Sequence, residues 1–161
     1  MTGTPLPSAL AVRELLESLL GRDVEAELVT AVVDPHKHPG ALVGAYVDDD
    51  DGLRALIAVD LALTAHLGAS IALMGLRVAE DVIRSELLSP VLYDNAREVL
   101  NVAASLFNVD GAPHVRLVEA FAPREILPAE VEKWILARVA RLDMEMTVAG
   151  YGGGRMSVLV I

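Results

Sequence analysis

Residues 41–60 read ALVGAYVDDDDGLRALIAVD, two apolar runs separated by a short acidic segment. The runs over 41–47 and 53–59 are interpreted as strands. Between them Asp51 precedes Gly52, and an Asp-Gly pair between apolar runs is a strong hairpin signal. The stretch therefore predicts two antiparallel strands joined by a charged turn.

Helices and further strands flank this hairpin on both sides. Asp60 is placed to cap a helix over 61–74, with Gly75 ending it, and Ser8 to cap a helix over 9–20. The remaining patterns predict strands over 24–33, 114–121, 142–148 and 156–161 and helices over 79–87, 92–107 and 128–140. This order predicts one α+β domain over residues 1–161, with an antiparallel or mixed sheet and helices packed on one side.

Composition and charge exclude several classes of function. The chain has 161 residues, which suits one domain, and a net charge of −10, which disfavours binding to nucleic acid and favours a partner with a basic face. It contains no cysteine, so disulfides and thiolate metal sites are excluded. Residues 1–7 lack the features of a signal peptide, and the apolar stretches are too short to span a membrane, so a soluble, cytoplasmic protein is expected.

The predicted helix over 92–107 carries a polar stripe. At a rotation of roughly 100° per residue, Asp94, Glu98, Asn101 and Ser105 fall within a sector about 60° wide. The opposite side carries apolar residues: Ala96, Val99, Ala103, Leu106 and Phe107. We therefore expect the apolar side to pack on the sheet and the polar stripe to face solvent or a partner.

The stripe resembles the signature of the CheC/CheX/FliY chemotaxis phosphatases. That signature has Asp or Ser, then Glu after three residues, then Asn after two more, and a Pro further along. Asp94, Glu98 and Asn101 match the first three positions, and Pro123 follows Asn101 after 21 residues, about one fewer than the family has. A single copy of the motif is present, which resembles the CheX type of this family.

The resemblance implies hydrolysis of the aspartyl phosphate of a CheY-type response regulator in two-component signalling. Glu98 and Asn101 would be the catalytic residues, with Glu98 pairing with a lysine of the receiver domain and Asn101 orienting the attacking water. Asp94 and Ser105 would complete the partner-binding surface. The family also implies a homodimer with no cofactor or metal in this chain, because Mg²⁺ and the phosphorylated Asp belong to the partner.

Two departures from the family pattern keep a second function open. The residue a turn after Asn101 is Ser105, where the family often has Gly, and the lead-in to Glu98 is Asn95-Ala96-Arg97 rather than an apolar segment. A non-catalytic module that binds a receiver or a signalling assembly is therefore the alternative, and a role unrelated to receivers is the third possibility.

Other motifs are interpreted as structural. His36 and His38 lack a third metal ligand and are expected in a surface loop. Residues 48–51 lack the spacing of a calcium loop and predict a charged hairpin tip. The glycine-rich segment 150–154 predicts a flexible hairpin tip. His66 is expected to be a packed, satisfied histidine, and Trp134 a core anchor.

Overall fold

The predicted hairpin forms part of the centre of a six-stranded antiparallel sheet. The computed structural model describes residues 3–161, so Met1 and Thr2, part of the segment considered for a signal peptide, lie outside the described residues. The helices are α1 (Ala9–Leu20), α2 (Leu61–Ile71), α3 (Leu76–Ser85), α4 (Pro90–Ala103) and α5 (Ala129–Ile135). The strands are β1 (Val24–Leu28), β2 (Ala41–Val47), β3 (Leu53–Asp60), β4 (Arg116–Phe121), β5 (Arg141–Val148) and β6 (Gly152–Val160). Their order in the sheet is β1-β5-β6-β3-β2-β4.

The larger part of the core lies on one face of the sheet. Tyr46, Ile57 and Met144 point from three strands into a cluster that also contains buried residues of α1, α2 and α4. This arrangement confirms the predicted α+β fold with an antiparallel sheet and helices on one side. In addition, the seven-residue helix α5 packs its Val131 and Ile135 with Leu56 on the opposite face.

The turn of the β2–β3 hairpin is organised by Asp48. Its carboxylate accepts hydrogen bonds from the backbone N–H groups of Asp50 and Gly52, both at 2.9 Å, and from Arg54 Nε at 2.6 Å. The hydrogen bond from Arg54 is the main cause that holds the pKa of Asp48 below its usual value. The acidic run is thus a structured hairpin turn in which the first carboxylate binds the backbone.

Helix α2 is buried on nearly every side, between the sheet, α3 and α4. Asp60 caps it as predicted, with Oδ1 accepting the N–H of Leu63 at 2.9 Å. The helix ends at Ile71, earlier than predicted, because Leu73 has a positive φ of 54° and the N–H of Met74 returns to the carbonyl of Ala69.

The glycine-rich segment is the largest departure from the sequence prediction. Gly152 and Gly154 belong to β6 and pair with β5, so they are not part of a flexible tip. A Cβ atom on Gly152 would lie 2.6 Å from Nε2 of His66, and one on Gly154 would lie 2.5 Å from Oδ1 of Asp60. Glycine is needed here because β6 passes directly against the first turns of α2.

Several other boundaries also differ from prediction. The strand predicted over 24–33 ends at Leu28, and the helix predicted over 128–140 ends at Ile135. Trp134 is half-buried against the cluster of Leu56, Val131 and Ile135 on the α5 face of the sheet. Lys133 Nζ lies 4.7 Å from the Trp134 ring centroid. Within residues 3–161, none of the helices is long and apolar enough to cross a bilayer.

Candidate functional site

Helix α4 begins earlier than its apolar pattern indicated. The sequence predicted this helix from residue 92, but Ser89 is the N-cap and Pro90 occupies the first turn. The Ser89 hydroxyl accepts the N–H of Leu92 at 3.3 Å. Proline is well suited to this position because its missing N–H would have no partner inside the helix.

The structure places all four predicted site residues at the surface. Asp94, Glu98 and Asn101 are exposed on α4, and Ser105 is exposed on the short 3₁₀ turn Ala104–Leu106 that follows. The prediction of a continuous helix to residue 107 is therefore wrong beyond Ala103. We call the residues Asp94, Glu98, Asn101 and Ser105 the α4 stripe.

The opposite side of α4 is anchored in the core. The buried residues are Leu92, Ala96, Val99, Leu100 and Ala103, which recur at helical spacing. Because these residues fix the helix by one side, the α4 stripe faces outward. Within residues 3–161, no hydrogen bond or ion pair engages the side chains of Asp94, Glu98 or Asn101, so these groups remain available to a partner.

Two side chains that sequence reasoning missed hold α4 from its flanks. The Tyr93 hydroxyl donates to the carbonyl of Ala120 in β4, and Asn95 Nδ2 donates to the carbonyl of Gly68 in α2 at 3.0 Å. Burial is the main cause that raises the pKa of Tyr93. Asn95 lies between Asp94 and Glu98 of the motif and Tyr93 directly precedes it, but only the fold reveals which backbone groups they reach.

Pro123 lies in the turn after β4. The N–H of Glu125 donates to the carbonyl of Ala122 at 3.0 Å, which closes a four-residue turn around Pro123 and Arg124. Arg124 has a positive φ of 69°, so Pro123 occupies the first central position of a turn that favours proline there. Pro123 therefore lies in a tight turn directly after the end of β4.

Helix α2 presents no second copy of the site. Thr64 and Leu67, which stand where the motif would require Glu and Asn, are 0% and 1% exposed. The Asp60 carboxylate is turned toward backbone N–H groups of Leu63 and Arg155. Burial is the main cause that raises the pKa of Asp60.

The histidines do not form a metal centre. His36 and His38 are exposed as predicted, but Nε2 of His36 lies 2.8 Å from Glu132 while His38 contacts Glu86. Across residues 3–161, no group of three or more His, Asp or Glu side chains is arranged to hold a metal ion.

His66 is buried, as predicted, but it is not fully satisfied. Its Nδ1 has no hydrogen-bond partner within the described part of the chain. Burial is the main cause that lowers its pKa.

Comparison with known proteins gives a fold relationship. No protein-family model matches the sequence, and no curated protein matches it. The structure is similar to that of the FliM–SpeE complex from H. pylori (TM-score 0.61, 9% identity, 94% of this chain and 80% of that chain). It is also similar to FliY from Thermotoga maritima (TM-score 0.54, 17% identity, 93% and 81%) and to the CheX–CheY–BeF3–Mg²⁺ complex from Borrelia burgdorferi (0.51, 10%, 93% and 92%). At these identities the likeness concerns the fold alone, and this protein has the fold of the CheC/CheX/FliY group.

Proposed function

We propose that this protein hydrolyses the aspartyl phosphate of a CheY-type receiver domain. The observation that carries the proposal is the exposure of Glu98 and Asn101 on one helix face, without partners in the described chain. Residues three apart on a helix lie side by side, so both can enter a single pocket of another molecule. In the similar structure from Borrelia burgdorferi, a CheX of this fold is in complex with CheY.

The two side chains suit the chemistry of phosphoryl transfer. An aspartyl phosphate is already activated, and its hydrolysis requires a water held in line with the leaving oxygen. The neutral amide of Asn101 can hydrogen-bond that water without repelling the phosphoryl group. Glu98 is assigned to a cation of the receiver, where a charge pair fixes the register of docking. The partner supplies Mg²⁺ and the phosphorylated carboxylate, so this chain contributes only positioning groups.

The electrostatics of the protein favour a basic docking face on the partner. The chain carries a net charge of −10, and the α4 stripe adds Asp94 beside Glu98. Burial is the main cause that raises the pKa of Tyr93 on α4, Arg97 opposes it, and the carboxylates of Glu125, Glu119 and Asp94 add to it. This surface would attract a receiver whose phosphorylated pocket is surrounded by cations.

The test is phosphate release from phosphorylated receiver domains encoded in the same genome. Asn101→Ala is expected to lower the rate about 100-fold while the receiver still binds, because misplacing a reacting group costs about that much. Glu98→Ala is expected to lower the rate and also to weaken binding of the receiver. Glu130→Ala, at an exposed position of α5 on the opposite face of the sheet, is the matched control and should keep the parental rate. Equal rates for Asn101→Ala and the parent would reject the proposal.

A non-catalytic docking module is the second candidate. The middle domain of FliM from Vibrio alginolyticus has a TM-score of 0.57 to this chain, and the FliM–SpeE complex has 0.61, so the fold is also close to proteins outside the CheX type. Ser105, where the phosphatase family often has Gly, favours the same candidate. This function predicts a stable complex with a phosphorylated receiver and no acceleration of phosphate loss.

The family resemblance also supports a homodimer that acts in the cytoplasm, where receiver domains are phosphorylated. Light scattering of the purified protein tests the oligomeric state. A mass near twice the 17.1 kDa of one chain is expected, and a mass of one chain would contradict it.

A further inference from the structure

The phenol of Tyr46 reaches from β2 to the backbone of α4. The side chain is fully buried, and its hydroxyl donates a hydrogen bond of 2.6 Å to the carbonyl oxygen of Leu100. Burial raises the pKa of this phenol, so it remains a protonated donor at neutral pH. Leu100 directly precedes Asn101, so the bond fixes the peptide unit that joins the two residues.

This hydrogen bond coincides with the end of the α-helix. In a continuing α-helix the carbonyl of Leu100 would accept the N–H of residue 104. Here the N–H of Ala104 is shared between the carbonyls of Asn101 and Val102, and the chain tightens into the 3₁₀ turn Ala104–Leu106. The phenol replaces the lost donor, so α4 can end without leaving a buried carbonyl unsatisfied.

The strand is shaped to bring Tyr46 to this carbonyl. Its register shifts against β4 between Ala45 and Tyr46, and a β-bulge of this kind redirects a side chain. Gly44 leaves room for the helix, since a Cβ atom there would lie 3.0 Å from Cδ1 of Leu100. The ring of Phe107 packs on Tyr46 with centroids 5.2 Å apart, which holds the phenol from the other side.

We infer that Tyr46 is a positioning residue for Asn101, and the inference rests on the proposed function. Its hydroxyl sets the point where α4 changes to a 3₁₀ turn, and thereby the direction in which the Asn101 amide leaves the helix. Tyr46 does not touch the receiver, because it lies fully buried beneath α4. It acts through the backbone of Leu100.

The test uses Tyr46→Phe, which keeps the ring and removes only the hydroxyl. The hydrolysis rate at saturating phosphorylated receiver is expected to fall about tenfold, with the dissociation constant of the receiver unchanged. Tyr151→Phe is the matched control, because that hydroxyl also donates to a backbone carbonyl, that of Met74, whose side chain meets α4 at Asn95 and not at Leu100. In NMR spectra, the amide signals of residues 101–105 should shift in Tyr46→Phe and remain in place in Tyr151→Phe.

A second variant covers the case in which Tyr46→Phe fails to fold. Gly44→Ala keeps the hydroxyl but crowds Leu100, and it is also expected to lower the rate without changing receiver binding. If Asn101→Ala abolishes hydrolysis while Tyr46→Phe keeps the parental rate, the inference is overturned and the proposed function stands. If Asn101→Ala keeps the parental rate, the proposed function fails, and the positioning role assigned to Tyr46 fails with it. Unshifted amides in Tyr46→Phe would refute the backbone role separately.

Discussion

Gly68 of α2 lies directly against the carbonyl oxygen of Leu92 in α4, because a Cβ atom on Gly68 would stand 2.8 Å from that oxygen. The carbonyl of Gly68 in turn accepts the hydrogen bond from Asn95. The backbones of the two helices therefore meet at this glycine. This contact sets how close α4 sits to the buried helix α2, and so contributes to the placement of the α4 stripe.

Replacing Gly68 with Val should destabilise the protein by about 1–3 kcal/mol, the usual cost of overpacking a close contact. The added methyl groups would meet backbone atoms, which cannot rotate away. Gly3→Val is the control, since an added Cβ there has nothing within 4 Å and the residue is exposed. Urea unfolding of both variants measures the difference. Equal free energies of unfolding would show that the α2–α4 contact is not tight.

Stability should fall as the pH is lowered from 7.5 toward 5.5, and His66 should be one cause. Burial lowers the pKa of His66 in the folded protein, so the unfolded chain takes up the proton first. The loss of stability therefore begins near the ordinary pKa of about 6.5 and continues down to the lowered value. The half-buried carboxyl of Asp60 has a pKa that burial raises, and it acts in the opposite direction at lower pH, because the folded state then binds its proton more readily.

The measurement is the midpoint of thermal unfolding against pH for the parent and for His66→Gln. The variant should show a weaker dependence between pH 7.5 and 5.5. His114→Gln, at an exposed histidine, serves as the control for the loss of one imidazole. An identical pH profile for the parent and His66→Gln would refute the assignment.

Receiver binding should weaken as salt is added, because Glu98 is proposed to pair with a cation at the rim of the partner's pocket. Exposed charge pairs are screened strongly at distances beyond about 8 Å in 0.15 M salt. Glu98→Gln should bind more weakly at low salt and show a smaller salt dependence than the parent. Glu130→Gln serves as the control for the loss of one negative charge. A salt dependence that Glu98→Gln leaves unchanged would contradict the proposed pair.

Local sequence patterns predicted much of the candidate site. The hairpin over 41–60 was predicted from two apolar runs and an Asp-Gly pair, and both strands form with the expected bounds to within one residue. The exposure of Glu98 and Asn101 followed from the helical period alone, because a helix buries one side and its other side must face outward. The four residues of the α4 stripe are exposed as predicted, while their roles remain proposals.

Contacts between residues far apart in the sequence explain most of the structural features that the sequence did not predict. Glycine has a low preference for strands, so Gly152 and Gly154 read as a flexible tip. They form a strand because they pair with β5, and glycine is needed there because β6 passes too close to Asp60 and His66 for any side chain. The hydrogen-bond partners of Tyr93 and Asn95 could not be predicted from the sequence either, since each is a backbone carbonyl 27 residues away along the chain.

The amino-acid sequence by itself determined which side of α4 is polar, because periodicity is a property of neighbouring residues. Only the tertiary structure decided where α4 ends and how the peptide unit before Asn101 is held. That choice depends on a hydroxyl of Tyr46, 54 residues before the carbonyl it binds. Such a contact exists only after the sheet and the helix have packed, because a hydrogen bond requires its two atoms to be held within about 3 Å.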